Sequence, residues 1–268
     1  MTNFIKIKSS QPAGDLLAML PSLRQLYKKT GKRTLIYQQL NVVGDGDVRA
    51  KQPFTNERGE SIMMGEQTLK MLKPLLKTQD YIHDAQEYVG QDIDYDMDEI
   101  RLKTFCNQSA GSINRIYWYA FPEMAGDLSE VSLQIDKTET NVDYFDKVII
   151  NFTPRFRNNW VNYFFLKDYQ DKLLFAGLEK ERAEFCNKWL LDIPLFETSD
   201  FYELAVAINS CKLFMSNQTA FWQIAEHLKI PRLLETDPQL PHVIPFGKNG
   251  YDFYSQNSLE YYFKLLIQ

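Results

Sequence analysis

Four segments of the sequence place polar or charged side chains where an apolar run passes into a helical one. In parallel α/β sheets this transition lies at the carboxyl end of a strand, where ligands bind. The first segment, SSQPAGDLLAMLP, places Asp15 near the start of a helix. The second, NFTPRFRNNW, carries Arg155 and Arg157 on either side of a phenylalanine. An arginine fork is suited to bidentate binding of a diphosphate. The alternatives are a helix N-cap for Asp15 and ordinary surface positions for the arginines.

The third segment, AGLEKERAEF, ends a strand at Gly177 and opens a helix with Glu179 and Glu181. A carboxylate at such a strand end can accept hydrogen bonds from ribose hydroxyls. The alternative is that the helix dipole alone favours acidic residues in this first turn.

The fourth segment, MSNQTAFWQIAEHL, gathers polar side chains at the start of a helix, namely Ser216, Asn217, Gln218 and Thr219. They could serve only as helix caps. Because the four segments fall at corresponding strand ends of two halves, they together predict a ligand site.

The elements around these segments repeat a strand-helix pattern in both halves. FIKIK and RTLIYQQL read as strands around a helix, LLAMLPSLRQLYKKTG, and IMMGEQTLKMLKPLLKTQ and YIHDAQEYV as the next helix and strand. The pattern restarts after an acidic linker, KTETNVDYFD, with KVIINFT. A short helix, a strand and a helix follow in NYFFLKDY, KLLFAGL and EKERAEFCNKWL. The remaining elements are DFYELAVAINSC, KLFMSN, TAFWQIAEHL, PRLLET and a terminal amphipathic helix, SLEYYFKLLIQ, that docks on one half or bridges both.

The sequence therefore predicts an α/β fold of two Rossmann-like, doubly wound domains, residues 1–142 and 143–268, that face each other across a cleft. Residues 42–61 lack periodicity and predict a long loop. Asp92, Asp94, Asp96 and Asp98 alternate along the chain, but Met97 and Lys103 stand where a calcium loop needs glycine and glutamate. A solvated acidic loop is the preferred interpretation.

Composition sets wider bounds. The 268 residues are 44% apolar with a net charge of -5, typical of a folded globular protein without general affinity for nucleic acid or anionic lipid. Cys106, Cys186 and Cys211 lack zinc or disulfide spacing and are expected to be reduced core residues. Neither a membrane span nor a signal peptide is evident, which predicts a cytoplasmic protein.

Three segments resemble the heptosyltransferase-like glycosyltransferases, which move heptose from ADP-heptose onto lipopolysaccharide and have the two-domain GT-B fold. They are IKIKSSQPAGDLLAMLPSLRQL, LLFAGLEKERAEF and DFYELAVAINSCKLFMSNQTAFWQIAEHLKIP, and the similarity covers most of residues 4–231. The resemblance implies an inverting, metal-independent glycosyltransferase. It would use a nucleotide sugar as co-substrate, need no cofactor, and act on a hydroxyl of a glycan or another acceptor.

By the same resemblance, Asp15 is the candidate catalytic base and Arg155 or Arg157 neutralises the donor pyrophosphate. Glu179 or Glu181, beside Gly177, holds the ribose. The donor phosphates and sugar are contacted by Ser216, Asn217, Gln218, Thr219 and Gln223.

The chain departs from the family at two donor positions. Gln218 and Gln223 stand where the family pattern has an aspartate and a histidine. One alternative is therefore a protein that binds a nucleotide or sugar without catalysis. Another is sugar transfer to nucleic acid, because the aromatic and basic segment RFRNNWVNYFFLK could stack on bases.

Overall fold

The structure is a computed structural model that describes residues 4–44, 54–102 and 112–268. The chain divides into two compact units. The first comprises residues 1–128 with the short stretches 132–134 and 200–202, and the second comprises residues 129–131, 135–199 and 203–268. Cys106 and the middle of the predicted 42–61 loop lie outside the described residues.

The first unit contains a four-stranded parallel sheet in the order β3-β2-β1-β4. Its strands are β1 (Phe4–Ser9), β2 (Arg33–Gln38), β3 (Ile82–Glu87) and β4 (Tyr95–Asp96). Its helices are α1 (Ala13–Ala18), α2 (Leu20–Thr30), α3 (Glu66–Lys77), α4 (Glu99–Leu102) and α5 (Ile113–Ala120). The predicted β-α-β opening is confirmed.

The first predicted helix is divided in two. α1 ends at Ala18, and α2 begins at Leu20 with Pro21 in its first turn. Proline has no amide hydrogen to donate to the preceding turn, so it is tolerated at a helix start and breaks a continuous helix. The predicted stop is confirmed at Gly31, whose φ of 68° is the left-handed conformation that glycine adopts without strain.

The interpretation of residues 92–99 as a solvated acidic loop is wrong. Residues 95 and 96 form β4, which pairs in parallel with β1. Lys8 on β1 lies 2.9 Å from Asp96 and 3.2 Å from Asp98, and Asp94 accepts a 2.8 Å hydrogen bond from the amide of Lys6. Asp94, Asp96 and Asp98 thus contact the neighbouring strand β1.

The second unit contains a six-stranded parallel sheet in the order β10-β9-β8-β5-β6-β7. Its strands are β5 (Val148–Asn151), β6 (Leu173–Ala176), β7 (Leu195–Phe196), β8 (Leu213–Ser216), β9 (Arg232–Glu235) and β10 (Gly250–Phe253). Its helices are α6 (Glu179–Trp189), α7 (Phe201–Ser210), α8 (Ala220–Leu228) and α9 (Gln256–Ile267), and α7 begins in residues grouped with the first unit. The α/β fold with doubly wound parallel sheets is thereby confirmed.

Sequence periodicity missed the short strands β4, β7 and β10. Residues 162–169, predicted as a short helix, lie mostly in a 3-10 helix, Phe164–Lys172. The terminal helix α9 packs on β9 and β10 and buries Leu259 and Phe263, so it docks on the second unit.

The core of the second unit is rich in aromatic rings. Phe152 stacks on Phe185 with ring centroids 4.9 Å apart, and Tyr163 packs against both rings. Cys186 and Cys211 are buried and free, as predicted, and burial raises the pKa of the Cys211 thiol to about 12. Among the described residues, no helix has the length and apolar character that crossing a bilayer requires.

We expect Gly250→Ala to destabilise the second unit. A Cβ at this position would lie 2.6 Å from the guanidinium carbon of Arg232. Arg232 has little room to move because it is fully buried and its Nε donates a 2.7 Å hydrogen bond to Glu226. Overpacking of this kind costs about 1–3 kcal/mol in the free energy of unfolding, which urea denaturation measures.

Gly44→Ala provides the control, since its added methyl group would meet no atom closer than 3.7 Å. Equal stability of the Gly250→Ala and Gly44→Ala variants would contradict the proposed clash.

Candidate functional site

The strand order of the second unit reverses between β5 and β8. After β5 the chain adds β6 and β7 on one side, and after α7 it returns to add β8, β9 and β10 on the other. Ligands of doubly wound sheets bind at this reversal, outside the carboxyl ends of the strands. The predicted donor residues follow β5, β6 and β8 at this edge of the sheet.

Asn151, at the end of β5, links three strand ends and was missed by the sequence analysis. Its Nδ2 donates a 2.7 Å hydrogen bond to the carbonyl of Ala176 at the end of β6. Its Oδ1 accepts a 2.7 Å hydrogen bond from Thr219, which follows β8. Asn151 is buried, so these bonds fix its amide. An amide side chain that ends the apolar run Val-Ile-Ile was the signal available in the sequence.

Thr219 and Ser216 form a hydroxyl pair at the start of α8. Thr219 is the N-cap of this helix and accepts a 3.2 Å hydrogen bond from the amide of Trp222. The Ser216 hydroxyl lies 3.0 Å from that of Thr219. The capping alternative is therefore confirmed for Thr219, while the pair also lies at the edge where a ligand would meet the amides of α8.

The side chain of Asn217 forms hydrogen bonds with the backbone of the protein. Its Oδ1 accepts a 3.1 Å hydrogen bond from the amide of Thr153, and its Nδ2 donates to the carbonyls of Thr153 and Arg155. These contacts hold the loop after β5 and leave little capacity for a phosphate.

Gln218 and Gln223, the two residues that depart from the family pattern, are both buried. The Nε2 of Gln218 donates a 3.1 Å hydrogen bond to the carbonyl of Leu240. The Oε1 atoms of both glutamines have no hydrogen-bond partner among the described residues. A buried acceptor without a donor is unfavourable, and each of these oxygens retains unused acceptor capacity.

The two predicted arginines are separated by the structure and do not form a fork. The Nε of Arg157 donates a 2.9 Å hydrogen bond to Glu235, and its guanidinium lies 4.9 Å from the centre of the Phe152 ring. Arg157 is therefore committed to the core. Arg155 is half-exposed, and its charge lowers the pKa of Glu181 in opposition to burial. The two arginines thus have different surroundings.

Gly177 and Glu181 shape the turn between β6 and α6. Gly177 has a φ of 149°, and a Cβ there would lie 3.0 Å from the Oε2 of Glu181. The same oxygen accepts a 3.1 Å hydrogen bond from the amide of Leu178. Burial raises the pKa of the Glu181 carboxyl, although the Leu178 hydrogen bond and the charge of Arg155 act in the opposite direction.

Glu179 lies on the outside of the same turn. It forms a 2.6 Å ion pair with Arg182, whose hydrogen bonds lower the pKa of this carboxyl. Both residues line a surface hollow of about 430 Å³ with the segment 192–197. Glu179 and Glu181 thus have different surroundings, and Glu181 is the one near Arg155.

Asp15 lies in the first unit, in the first turn of α1. It is not the predicted N-cap, because Pro12 occupies that position. Its Oδ2 lies 3.2 Å from Arg101, its backbone carbonyl accepts a 2.9 Å hydrogen bond from Tyr117, and its side chain is 20% exposed. Partial exposure leaves the carboxylate able to meet a substrate.

Arg101 belongs to a polar chain that runs from β1 to Asp15. Gln11 accepts a 2.8 Å hydrogen bond from the Nε of Arg101 and donates one of the same length to Asp98. Asp98 in turn pairs with Lys8 on β1. Arg101 was not singled out in the sequence, because it lies 86 residues from the aspartate it contacts.

Comparisons with known proteins identify the fold. No family profile matches the sequence, and no curated protein matches it. Among solved structures, the ADP-heptose lipopolysaccharide heptosyltransferase II of E. coli is similar over 98% of both chains, with 14% identity and a TM-score of 0.59. The chain has the heptosyltransferase fold. The resemblance noted in the sequence is confirmed at this level, and so is the GT-B-like fold class.

Two further structures have this fold. E. coli heptosyltransferase WaaC with ADP covers 98% of this chain and 99% of its own, with 10% identity and a TM-score of 0.60. A family 9 glycosyl transferase from Veillonella parvula covers 97% of this chain and 88% of its own, with 12% identity and a TM-score of 0.54. All three of these structural neighbours are thus glycosyltransferases.

We expect Thr219→Val to lower the free energy of unfolding by about 2 kcal/mol relative to Thr219→Ser. Valine keeps the size of threonine but removes the cap of α8 and the hydroxyl that satisfies Asn151, whereas serine keeps both hydrogen bonds. Urea denaturation of the two variants makes the comparison. Equal stability would contradict the capping role.

Proposed function

We propose that this protein is a glycosyltransferase that moves a sugar from a nucleoside diphosphate donor to a hydroxyl of a glycan or another acceptor. The observation that carries the proposal is the group formed by Arg155 and the amino end of α8. These groups lie on segments that follow β5 and β8, the two strands between which the sheet order reverses. The same fold in WaaC has been solved with ADP.

The donor diphosphate would be held without a metal ion. Arg155 supplies a full positive charge, and the amino end of α8 supplies backbone amides and the positive end of the helix dipole. These groups would stabilise the nucleoside diphosphate as it leaves. Glu181 is the candidate for the ribose hydroxyls, and the free acceptor oxygens of Gln218 and Gln223 suit sugar hydroxyls.

Asp15 would be the catalytic base. Its carboxylate removes the proton from the acceptor hydroxyl, whose oxygen then bonds to the anomeric carbon of the donor sugar. The bond between that carbon and the diphosphate oxygen breaks, and the nucleoside diphosphate leaves with the electron pair. Arg101 lies 3.2 Å from the Asp15 carboxylate and would hold it in place.

A binding protein without catalysis is the second candidate function. It is favoured by Gln218 and Gln223, because neither amide can act as an acid or a base. Sugar transfer to nucleic acid has less support, since Arg157 and Tyr163 of its proposed binding segment are both committed to Glu235.

We expect Arg155→Ala to remove the stabilisation that a nucleoside diphosphate gives the wild-type protein. The measurement is thermal unfolding with ADP, GDP, UDP and CDP, since a ligand that binds only the folded state raises Tm. Loss of one charge-assisted contact should weaken binding by roughly tenfold or more. Arg58→Ala, which removes an exposed arginine of the first unit, is the control. Equal Tm shifts in both variants would contradict the role of Arg155.

We expect Asp15→Asn to lower the transfer rate by roughly a hundredfold or more while leaving donor binding intact, because asparagine cannot accept the proton. The measurement is turnover with sugars linked to whichever nucleoside diphosphate stabilises the wild-type protein and with a panel of glycan acceptors, and added EDTA should not change it. Asp80→Asn, an exposed aspartate of the same unit, is the control. Unchanged turnover in Asp15→Asn would exclude this base, and no turnover by the wild-type protein would favour the binding protein.

A further inference from the structure

The 153–158 loop, which follows β5 and carries Arg155, is fixed at its start by a neighbouring strand. Asn217 lies directly after β8, and its side chain forms hydrogen bonds with the backbone amide and carbonyl of Thr153 and with the carbonyl of Arg155. The Nδ2 and Oδ1 atoms of this one buried side chain thus form hydrogen bonds with two residues of the loop. The backbone on either side of Pro154 is tied to β8.

The end of the same loop is fixed from β9. Glu235, the last residue of that strand, is fully buried and accepts hydrogen bonds from the amide of Asn158, the Nε of Arg157 and the hydroxyl of Tyr163. Removing a carboxylate from water is costly unless it is paired and hydrogen-bonded, and Glu235 has both kinds of contact. The glutamate therefore holds the loop where it returns to the core.

Between these two anchors the backbone adopts an unfavourable conformation. Phe156 has a φ of 50°, in the left-handed region that costs a residue with a side chain about 1–2 kcal/mol. Such a conformation persists where the surrounding contacts impose it. The Phe156 ring also packs edge-on against His242 with centroids 5.3 Å apart. Arg155 thus lies in a loop whose shape is set before any ligand binds.

We propose that Glu235 and Asn217 are positioning residues that fix the 153–158 loop in the shape that presents Arg155 to the donor diphosphate. This inference rests on the proposed function. A preformed loop loses less conformational freedom when the ligand binds, so the two buried groups would raise affinity without touching the ligand.

A double-mutant cycle separates positioning from general stabilisation. The variants are Glu235→Gln, Arg155→Ala and the double variant, titrated by calorimetry with whichever of ADP, GDP, UDP and CDP binds the wild-type protein. Glutamine keeps the shape of glutamate but loses the charge that holds Arg157. We expect Glu235→Gln to weaken diphosphate binding roughly tenfold in the wild-type background and to have little effect in Arg155→Ala, because coupled residues are not additive. Binding of the matching nucleoside, which has no phosphates, should change little in either background.

Glu226→Gln is the matched control. Glu226 is also buried and pairs with two cations, Arg232 and Lys229. Arg232, however, is the first residue of β9, at the opposite end of the strand from Glu235. We expect this variant to lose stability as Glu235→Gln does, with its diphosphate affinity within about twofold of the wild type. Amide hydrogen exchange without ligand should be faster at residues 155–158 in Glu235→Gln and unchanged there in Glu226→Gln.

Asn217→Ser tests the same inference from the β8 side and replaces Glu235→Gln in the cycle if the latter does not fold. The positioning role would be overturned if the affinity loss of Glu235→Gln or Asn217→Ser added to that of Arg155→Ala, or if either variant left the affinity unchanged. Both results would leave the donor site in place. Failure of the wild-type protein to bind any diphosphate of the panel would overturn both the donor site and this inference.

Discussion

The hydrogen bonds of the buried Asn151 amide are the interaction on which the rest of the candidate site depends. The strands of a parallel sheet end at one edge, where backbone groups lose their ladder partners and need others. Asn151 donates a hydrogen bond to the carbonyl of Ala176 and accepts one from the hydroxyl of Thr219. The ends of β5 and β6 and the start of α8 are therefore joined through one side chain. A buried polar group left unpaired costs about 1–3 kcal/mol, which makes this arrangement difficult to alter one residue at a time. The Thr219 hydroxyl both caps α8 and bonds Asn151.

The first unit satisfies the same requirement with charges instead of amides. Asp96 ends β4, Asp98 follows it, and Lys8 on β1 pairs with both. The chain of contacts continues from Asp98 through Gln11 and Arg101 to Asp15, so the candidate base is linked to the centre of its own sheet. Ion pairs at partly exposed positions contribute little to stability. Their effect here is on the position of the Asp15 carboxylate.

The sequence predicted the strands and helices whose apolar period continues over several residues, together with the strand ends where polar residues gather. It missed β4 and β7, whose two residues give no period to recognise, and β10, of whose four residues only Phe253 is buried. It also assigned Arg155 and Arg157 the same role. Two residues apart in the chain, they have different surroundings because Glu235, 78 residues from Arg157, draws only one of them into the core. Pairings of this range leave no local pattern, and the contact between Arg101 and Asp15 escaped prediction for the same reason.

The residues predicted to bind the nucleotide sugar differ in how many further hydrogen bonds they can form. This difference separates them more sharply than their place in the sequence does. Asn217 and Arg157 spend their polar atoms on the protein, and Thr219 spends its hydroxyl on α8 and Asn151. The Oε1 atoms of Gln218 and Gln223 are buried without partners among the described residues. An isolated buried acceptor is retained at a cost in stability unless a bound group supplies the missing donor. Sugar hydroxyls are donors of this kind, whereas a diphosphate offers only acceptors. Under the proposed function, the two departures from the family pattern would contact the sugar of the donor, and Arg155 with the amides of α8 would hold the diphosphate.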